Sequence, residues 1–246
     1  MKKEKSQSLI CLTRLYFSYL FQKATIIVFS IALILILGIV ILISNPFYNN
    51  PDYLYNANEI HTLFLSQSLF VIQLFNSIII TTIALSLTIN SNSFDSLFLS
   101  HTSRLKICIS KLLACMFVLI FLNIYEVLLL VLVPLIRYPL YKISNQTILY
   151  FIYLYISTIT ETITSFLIST AIPIIIAPMI FMFLSIVIKL LSNNFTIFKD
   201  FASKIIPIIN VNEKGITLDS LMVIPIWIIL FSLLYLSIYY VKDLKQ

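Results

Sequence analysis

Two acidic side chains, Glu126 and Glu161, stand inside long apolar runs, where a charge is costly to bury. An acidic or basic residue at the middle of a membrane helix costs about 2.5–3.5 kcal/mol, so it is usually paired, protonated or next to water. Such an acid can have one of two roles. It can take part in a substrate pathway or in a coupling step, or it can fix the packing of helices as a protonated or hydrogen-bonded carboxyl group. By helix rise from Lys111, Glu126 lies towards the outer leaflet. Glu161 lies nearer the cytoplasm, so we expect no catalytic pair.

Motifs for metal-dependent, nucleophilic or nucleotide chemistry do not occur in the sequence. His61 and His101 lie far apart and on predicted opposite sides of the bilayer, so we expect no shared metal site. There is no HExxH or GxSxG motif, and 2 glycines are too few for a Gly-rich phosphate loop. The 3 cysteines lack CxxC spacing and are interpreted as small apolar fillers. The sequence therefore predicts no catalytic residue, no metal ligand and no cofactor bound by this chain.

The composition indicates an integral membrane protein. Of the 246 residues, 60% are hydrophobic and 11% are charged, and the mean hydropathy is +1.04. Soluble domains carry about 25% charged residues, so a core of this chain's own making cannot absorb so much apolar surface. The solvent for these side chains must be a lipid bilayer. The net charge of +6 does not indicate a nucleic-acid partner, because the cations flank apolar spans and do not form one patch.

The apolar runs predict an all-α protein with six transmembrane helices in one domain, residues 1–246. Each run reaches the roughly 20 residues that a helix needs to cross a bilayer. The run 147–191 is far longer than that, so it is divided into two spans although no charge marks the boundary. The predicted spans cover residues 24–43, 60–89, 107–135, 147–169, 171–191 and 220–241.

The second predicted span is more polar than lipid would tolerate on a free helix face. We expect its polar side chains to point at a partner helix or into a cavity, in the substrate pathway or in helix packing. They are Gln67, Gln73, Asn76, Ser77, Thr81 and Thr82.

Two further segments have the spacing of amphipathic helices that lie in a membrane surface. In residues 7–23, Leu9, Leu12, Tyr16 and Leu20 line one side, which predicts an interfacial helix before the first span rather than a signal peptide. In the long connection 192–218, phenylalanines at helical spacing predict a short helix that dips into the outer leaflet before the last span.

The distribution of positive charge predicts the orientation. Lys and Arg concentrate in the amino-terminal segment, in the loop 90–111 and at the carboxyl end, which places both termini in the cytoplasm. The connection 189–219 is an exception, since it carries four lysines on the predicted outer side.

Between the second and third spans lies a polar and amphipathic segment, residues 92–100. With helical spacing, Phe94, Leu97 and Phe98 share one face, while Asp95 lies away from it. Such a helix either lies along a membrane surface or presents its apolar side chains to a partner protein; an ordinary solvated loop is the alternative. Three cations follow it: Arg104, Lys106 and Lys111.

This segment resembles the cytoplasmic signature of ABC-2-type transporter permeases. That signature reads Gly-Thr-Leu-Glu-x-Leu-Leu, then a Pro-x-Ser-Arg turn, then a Lys that opens the next membrane helix. Asn92 stands where the family has Gly, and His101 stands where it has Pro. The matching positions are Ser93, Phe94, Asp95, Leu97 and Phe98 for Thr, Leu, Glu, Leu and Leu, then Ser103 and Arg104 for Ser-Arg, and Lys111 for the helix opening.

The resemblance implies a permease subunit of a bacterial ABC exporter in the plasma membrane. Residues 7–23 would be the family's elbow helix, and residues 92–100 its coupling helix, which docks into a groove on a separate ATPase subunit. ATP and Mg would bind to that ATPase, and a second copy or a sibling permease would complete the pathway. The ATPase-coupling residues would be Phe94, Asp95, Leu97, Phe98 and Arg104, with Lys111 as an anchor at the lipid headgroups.

Two other functions remain open from the sequence. A proton-coupled secondary carrier would use Glu126 or Glu161, although inverted-repeat symmetry is not evident. A membrane protein that does not transport, such as an immunity or assembly factor, would act by binding and would need no ATPase.

Overall fold

The computed structural model describes residues 8–21, 23–48, 57–90, 103–137, 145–172, 176–194, 226, 228–230 and 232–238. Within these ranges the chain is almost entirely helical and has no strand, which confirms the predicted all-α class. A π-helical turn, Ser86–Asn90, continues the third helix. The helices are α1 Leu9–Leu20, α2 Lys23–Tyr48, α3 Ala57–Leu85, α4 Arg104–Arg137, α5 Asn145–Ala171 and α6 Ile176–Asn194.

Four of these helices are long and apolar enough to cross a bilayer, judged by length and composition. In lipid no water can satisfy a backbone N–H or C=O group, so an apolar run must make its own hydrogen bonds, and a helix does this. The four helices overlap the first four predicted spans. Their apolar stretches are Ile26–Asn45, His61–Thr88, Leu105–Arg137 and Thr147–Ala171.

The remaining predicted segments are described only in part. The apolar stretch of α6, Ile176–Leu191, is shorter than the other four, and near the carboxyl end residues 228–230 and 232–238 are helical. Helix α5 ends at Ala171, since Pro173 lacks the N–H that a continuing helix needs. The predicted coupling helix 92–100 and most of the connection 192–218 lie outside the described residues. Six spans therefore remain a proposal.

Helix α3 is the centre of the described bundle. It packs against α2, α4, α5 and α6. Its apolar side chains Phe64, Leu69 and Ile80 are fully buried in the core. A helix surrounded in this way can carry polar residues on several faces, because each face meets another helix and not lipid. The polar contacts between the described helices therefore gather around α3.

Helix α1 lies on α4 with the face that the sequence predicts. Leu12, Tyr16 and Leu20 are buried, whereas Arg14 is exposed. Ser8 caps the start of the helix: its hydroxyl accepts a hydrogen bond from the Cys11 amide at 3.3 Å and so satisfies one of the free N–H groups there. Within the predicted segment 7–23, residues Leu9–Leu20 form a helix with a buried apolar face. Its place in the plane of a membrane surface remains a prediction.

Most hydroxyl groups in the long helices are satisfied within their own helix. A Ser or Thr side chain can donate to the carbonyl three or four residues earlier, which removes the cost of a polar group in an apolar setting. In α5 this pattern recurs on successive turns. Its Oγ donors to the carbonyl four residues earlier include Thr158, Thr160, Thr162, Ser169 and Thr170.

One hydrogen bond joins α2 to α4 and gives a first prediction. The Tyr125 hydroxyl donates to the Leu33 carbonyl oxygen at 2.9 Å. We expect Tyr125→Phe to lower the free energy of unfolding by about 0.5–1.5 kcal/mol, because the change removes one hydrogen bond and little else. Unfolding in detergent micelles measures the loss. Tyr155→Phe is the matched control, since Tyr155 is exposed, and an equal loss in both variants would contradict the role of this bond.

Candidate functional site

The first polar centre is an ion pair between α5 and α6. The Lys189 ammonium nitrogen lies 2.8 Å from Oε2 of Glu161 and 3.0 Å from its Oε1, so both carboxylate oxygens are engaged. Ser185 donates its hydroxyl to Glu161 Oε1 at 2.8 Å. The side chains of Lys189 and Glu161 are only 15% and 12% exposed. The two opposite charges cancel within the helix bundle. We call this group the Lys189 centre.

Helix α3 completes the Lys189 centre. The same ammonium group donates to the Gln73 carbonyl oxygen at 3.1 Å and to Ser77 Oγ at 2.5 Å. The Gln73 side chain donates through Nε2 to Ser157 Oγ of α5 at 3.1 Å. Three helices therefore meet at one lysine. An ammonium ion has three N–H groups, and the contacts around Lys189 use all of them.

The spacing of the residues explains why this centre forms. Each of the three helices contributes two side chains four residues apart, and residues at that spacing lie one above the other on the same helix face. Polar pairs on three facing helices can then meet in one layer. The pairs are Gln73 and Ser77 on α3, Ser157 and Glu161 on α5, and Ser185 and Lys189 on α6.

The second polar centre lies on the neighbouring face of α3, against α4. Glu126 is fully buried, and its Oε2 accepts a hydrogen bond from Nδ2 of the buried Asn76 at 3.3 Å. Asn123 lies three residues before Glu126 on α4, and its Oδ1 lies 3.3 Å from the Thr158 hydroxyl of α5, whose single proton it shares with the Leu154 carbonyl oxygen at 2.7 Å. This Glu126 centre therefore connects α3, α4 and α5 through neutral donors.

Several atoms of the Glu126 centre have no hydrogen-bond partner among the described residues. They are Glu126 Oε1, Asn76 Oδ1 and Asn123 Nδ2. Buried polar atoms are nearly always paired, so three such atoms within one small group of side chains call for a ligand or a change of protonation. The Lys189 centre has no comparable deficit at Glu161, because both of its carboxylate oxygens accept hydrogen bonds.

The structure places the predicted polar residues of the second span as follows. Gln73, Asn76, Ser77 and Thr81 are buried and Thr82 is half-buried, in agreement with the prediction that they face other helices. Gln67 is exposed in the single chain, and its contact with a partner helix or a cavity remains a prediction. Gln67 lies on the side of α3 that the neighbouring helices leave open. Glu126 and Glu161 are not brought together, since each has its own partners.

Lys111 lies beneath α1. Its side chain is buried, and its ammonium nitrogen is 5.3 Å from the centre of the Tyr16 ring, which is the distance of a cation–π contact. The contact joins the buried face of α1 to α4. Arg104 is the first residue of α4. Phe94, Asp95, Leu97 and Phe98 lie outside the described residues. The roles of these residues in ATPase coupling, and of Lys111 at the headgroups, remain predictions.

An apolar groove lies apart from both polar centres. It has a volume of about 470 Å³ and is lined by side chains of α1, α2, α3 and α4, among them Phe17, Phe29 and Phe121. Among the described residues no group of three His, Cys, Asp or Glu side chains could hold a metal ion. Cys108 and Cys115 are buried, whereas Cys11 is exposed. The groove offers no polar chemistry.

Comparisons with known protein families, with curated protein sequences and with solved structures give no match to this chain.

Sequence reasoning missed the lysine at the first centre. Lys189 lies near the end of the predicted fifth span 171–191 and is counted with the cations of the outer side, but the sequence predicts no partner for it; in the structure it lies inside α6 and pairs with Glu161. One signal could have predicted this pair. A lone acid in one apolar helix and a lone base in the next have the lowest free energy of burial when they form an ion pair. Asn123 and Thr158 were also missed, because nothing in their spacing distinguishes them from the other polar residues of these helices.

Proposed function

We propose that this chain is the membrane-spanning permease subunit of a bacterial ABC exporter of the ABC-2 type. The observation that carries the proposal is the Lys189 centre, an ion pair between the membrane-length helix α5 and the shorter helix α6, completed by the membrane-length helix α3. Charged residues within membrane helices are costly, and where they occur they usually mark a solute pathway or a coupling element. A protein that serves only as an anchor needs no such centre.

The assignment to the ABC-2 type depends on the resemblance in residues 92–111. The position of α1 supports it, because an amphipathic helix that lies against the start of the third predicted span suits the family's elbow helix. We propose six spans, both termini in the cytoplasm, and a short outer-leaflet helix before the last span. ATP and Mg would bind to a separate ATPase, and a second copy or a sibling permease would complete the pathway.

In this proposal the segment 92–100 transmits the movement of the ATPase to the bundle. The segment joins the π-helical end of α3 to the first turn of α4. A force on it would reach α3, which holds both polar centres, and α4, which holds Glu126. Short π-helical turns occur often at functional sites, and one at this junction fits a place where a helix changes its register.

A proton-coupled carrier is the second candidate, favoured by the buried carboxyl of Glu126. A carrier of this kind would be active in vesicles without any ATPase and would lose activity in Glu161→Gln. An ABC permease would be inactive without its ATPase. Reconstitution of the purified chain with and without an ATPase therefore separates the two candidates.

Co-purification tests the permease proposal. The chain carries an affinity tag in its native host, is extracted in a mild detergent, and the proteins that accompany it are quantified by mass spectrometry. We expect a P-loop ATPase in stoichiometric amount. A chain that purifies without any ATPase and transports by itself would contradict the proposal. A stoichiometric partner of another class would indicate the binding role of an immunity or assembly factor.

A further inference from the structure

The Glu126 centre has an unusual pairing of satisfied and unsatisfied atoms. One hydrogen bond joins the two side chains, from Asn76 Nδ2 to Glu126 Oε2. The other oxygen of each group, Asn76 Oδ1 and Glu126 Oε1, has no partner among the described residues. Both atoms are acceptors when the carboxyl group is ionised. A carboxylate and an amide can therefore form only one of the two hydrogen bonds that the two side chains could make with each other.

No cation among the described residues lies within ion-pair distance of Glu126. On its own helix, Lys111 and Arg137 are about 22 Å and about 16 Å away by helix rise. The other buried acid, Glu161, is already paired with Lys189. Glu126 is thus the buried acid without a compensating charge in the described part of the chain.

The groups around Glu126 are neutral on each helix that faces it. Helix α3 contributes Asn76, and α5 contributes Thr158 through Asn123. Tyr125 is the titratable neighbour, and its hydroxyl donates to a carbonyl of α2, whose apolar stretch Ile26–Asn45 contains no charged residue. His61 of α3 lies about 22 Å along that helix from Asn76. Helix α1 contacts α4 near Lys111, at the other end from Glu126. An ionised Glu126 would face only dipoles.

We propose that Glu126 and Asn76 form a proton-holding acid–amide pair. A single proton on Glu126 Oε1 donates to Asn76 Oδ1, while Asn76 Nδ2 donates to Glu126 Oε2, so that two reciprocal hydrogen bonds join the side chains. That proton supplies the partner for both unsatisfied oxygens at once and removes the buried charge. The pair is a binding site for one exchangeable proton inside the bundle. It does not depend on the function proposed above.

The donor set favours a proton over a metal cation. Hard cations take about six oxygen ligands, and the centre offers two free oxygens, Glu126 Oε1 and Asn76 Oδ1. The third free atom, Asn123 Nδ2, is a donor and would repel a cation. A proton in a hydrogen bond needs one atom that carries it and one that accepts it, and Glu126 Oε1 and Asn76 Oδ1 can be these two atoms.

Infrared spectroscopy of the purified chain in lipid tests the proposal. At neutral pH we expect a carbonyl band of a protonated carboxylic acid, which is separate from the carboxylate bands, and a downward shift of that band in D₂O. The band should vanish in Glu126→Gln and persist in Glu161→Gln, because Glu161 is the matched acid that has a lysine partner. A wild-type spectrum without any acid band at neutral pH would overturn the proposal, as would a band that survives Glu126→Gln.

Two further measurements keep the test independent of any one variant. Asn76→Leu removes the amide acceptor, so the acid band should move to higher frequency; an unmoved band would show that the reciprocal bond does not exist. Removal of Na⁺ and K⁺ from the buffer should leave the wild-type spectrum unchanged. An acid band that appears only after their removal would show that a metal cation holds the site, and the proton assignment would be wrong.

The acid–amide pair also predicts that replacing Glu126 by glutamine leaves the stability of the protein unchanged. Glutamine has the shape of the protonated acid and can exchange the same two hydrogen bonds with Asn76, so Glu126→Gln should unfold in detergent at the wild-type temperature. Glu126→Leu, which keeps the volume but not the hydrogen bonds, should unfold at a lower temperature. A glutamine variant as unstable as the leucine variant would contradict a neutral carboxyl at this position.

Discussion

Replacing Lys189 by methionine is expected to lower the free energy of unfolding by about 3–5 kcal/mol. Methionine keeps most of the length of the side chain but removes the charge, so Glu161 loses its ion-pair partner and must be buried either as an unpaired carboxylate or as a protonated acid. The substitution also removes the donor to the Gln73 carbonyl oxygen and to Ser77 on α3. Unfolding in detergent micelles or nanodiscs, followed at several denaturant concentrations, measures the loss.

Two further variants isolate the ion pair from the general cost of mutation. In Lys189→Met with Glu161→Leu, both charges are gone, and the loss should be much smaller than in Lys189→Met alone. The coupling energy between the two sites should then exceed about 1 kcal/mol. Arg137→Met is the surface control, since Arg137 is exposed and should change stability by less than about 0.5 kcal/mol. Additive effects of the two substitutions would contradict the ion pair.

Replacing Leu97 and Phe98 by aspartate is expected to uncouple the ATPase. In the proposed docking, these side chains provide the apolar contact of the segment 92–100 with its partner. Full burial of two such side chains contributes about 3–6 kcal/mol, more than a hundredfold in affinity. Export should therefore be lost, and ATP hydrolysis by the purified complex should no longer respond to substrate. Insertion of the chain into the membrane should stay at the wild-type level.

The opposite face of the same segment supplies the control. Ser100→Asp adds a charge away from the predicted apolar face, so export and coupled ATP hydrolysis should remain near their wild-type rates. Wild-type export in the Leu97→Asp and Phe98→Asp double variant would show that this segment is not the coupling element. Equal damage from Ser100→Asp would show that the apolar face has no special role.

The long helices could be predicted from the sequence because lipid imposes a simple rule on them. A run of about 20 apolar residues must form a helix to satisfy its own backbone, so composition alone locates α2, α3, α4 and α5 to within a few residues. The buried face of α1 could also be predicted, since Leu12, Tyr16 and Leu20 share one side at helical spacing.

The polar centres could be predicted only in part. A polar residue in a membrane helix is expected to face another helix or a cavity, and Gln73 and Asn76 do contact other helices, whereas Gln67 is exposed in the single chain. Which helix it meets depends on the packing angle and register of the bundle, and those do not follow from the composition of one helix. For this reason the sequence predicts neither the partner of Lys189 nor the partner of Glu126.

The most direct test of the account is the sidedness of the segment 92–100, because an ATPase can reach it only from the cytoplasm. Leu97→Cys in a Cys11→Ser background gives one reactive thiol, since Cys108 and Cys115 are fully buried. Asn50→Cys in the same background reports the predicted outer side. A membrane-impermeant maleimide should label Leu97→Cys only in inverted vesicles and Asn50→Cys only in right-side-out vesicles. Labelling of Leu97→Cys from the outside of right-side-out vesicles would contradict the account.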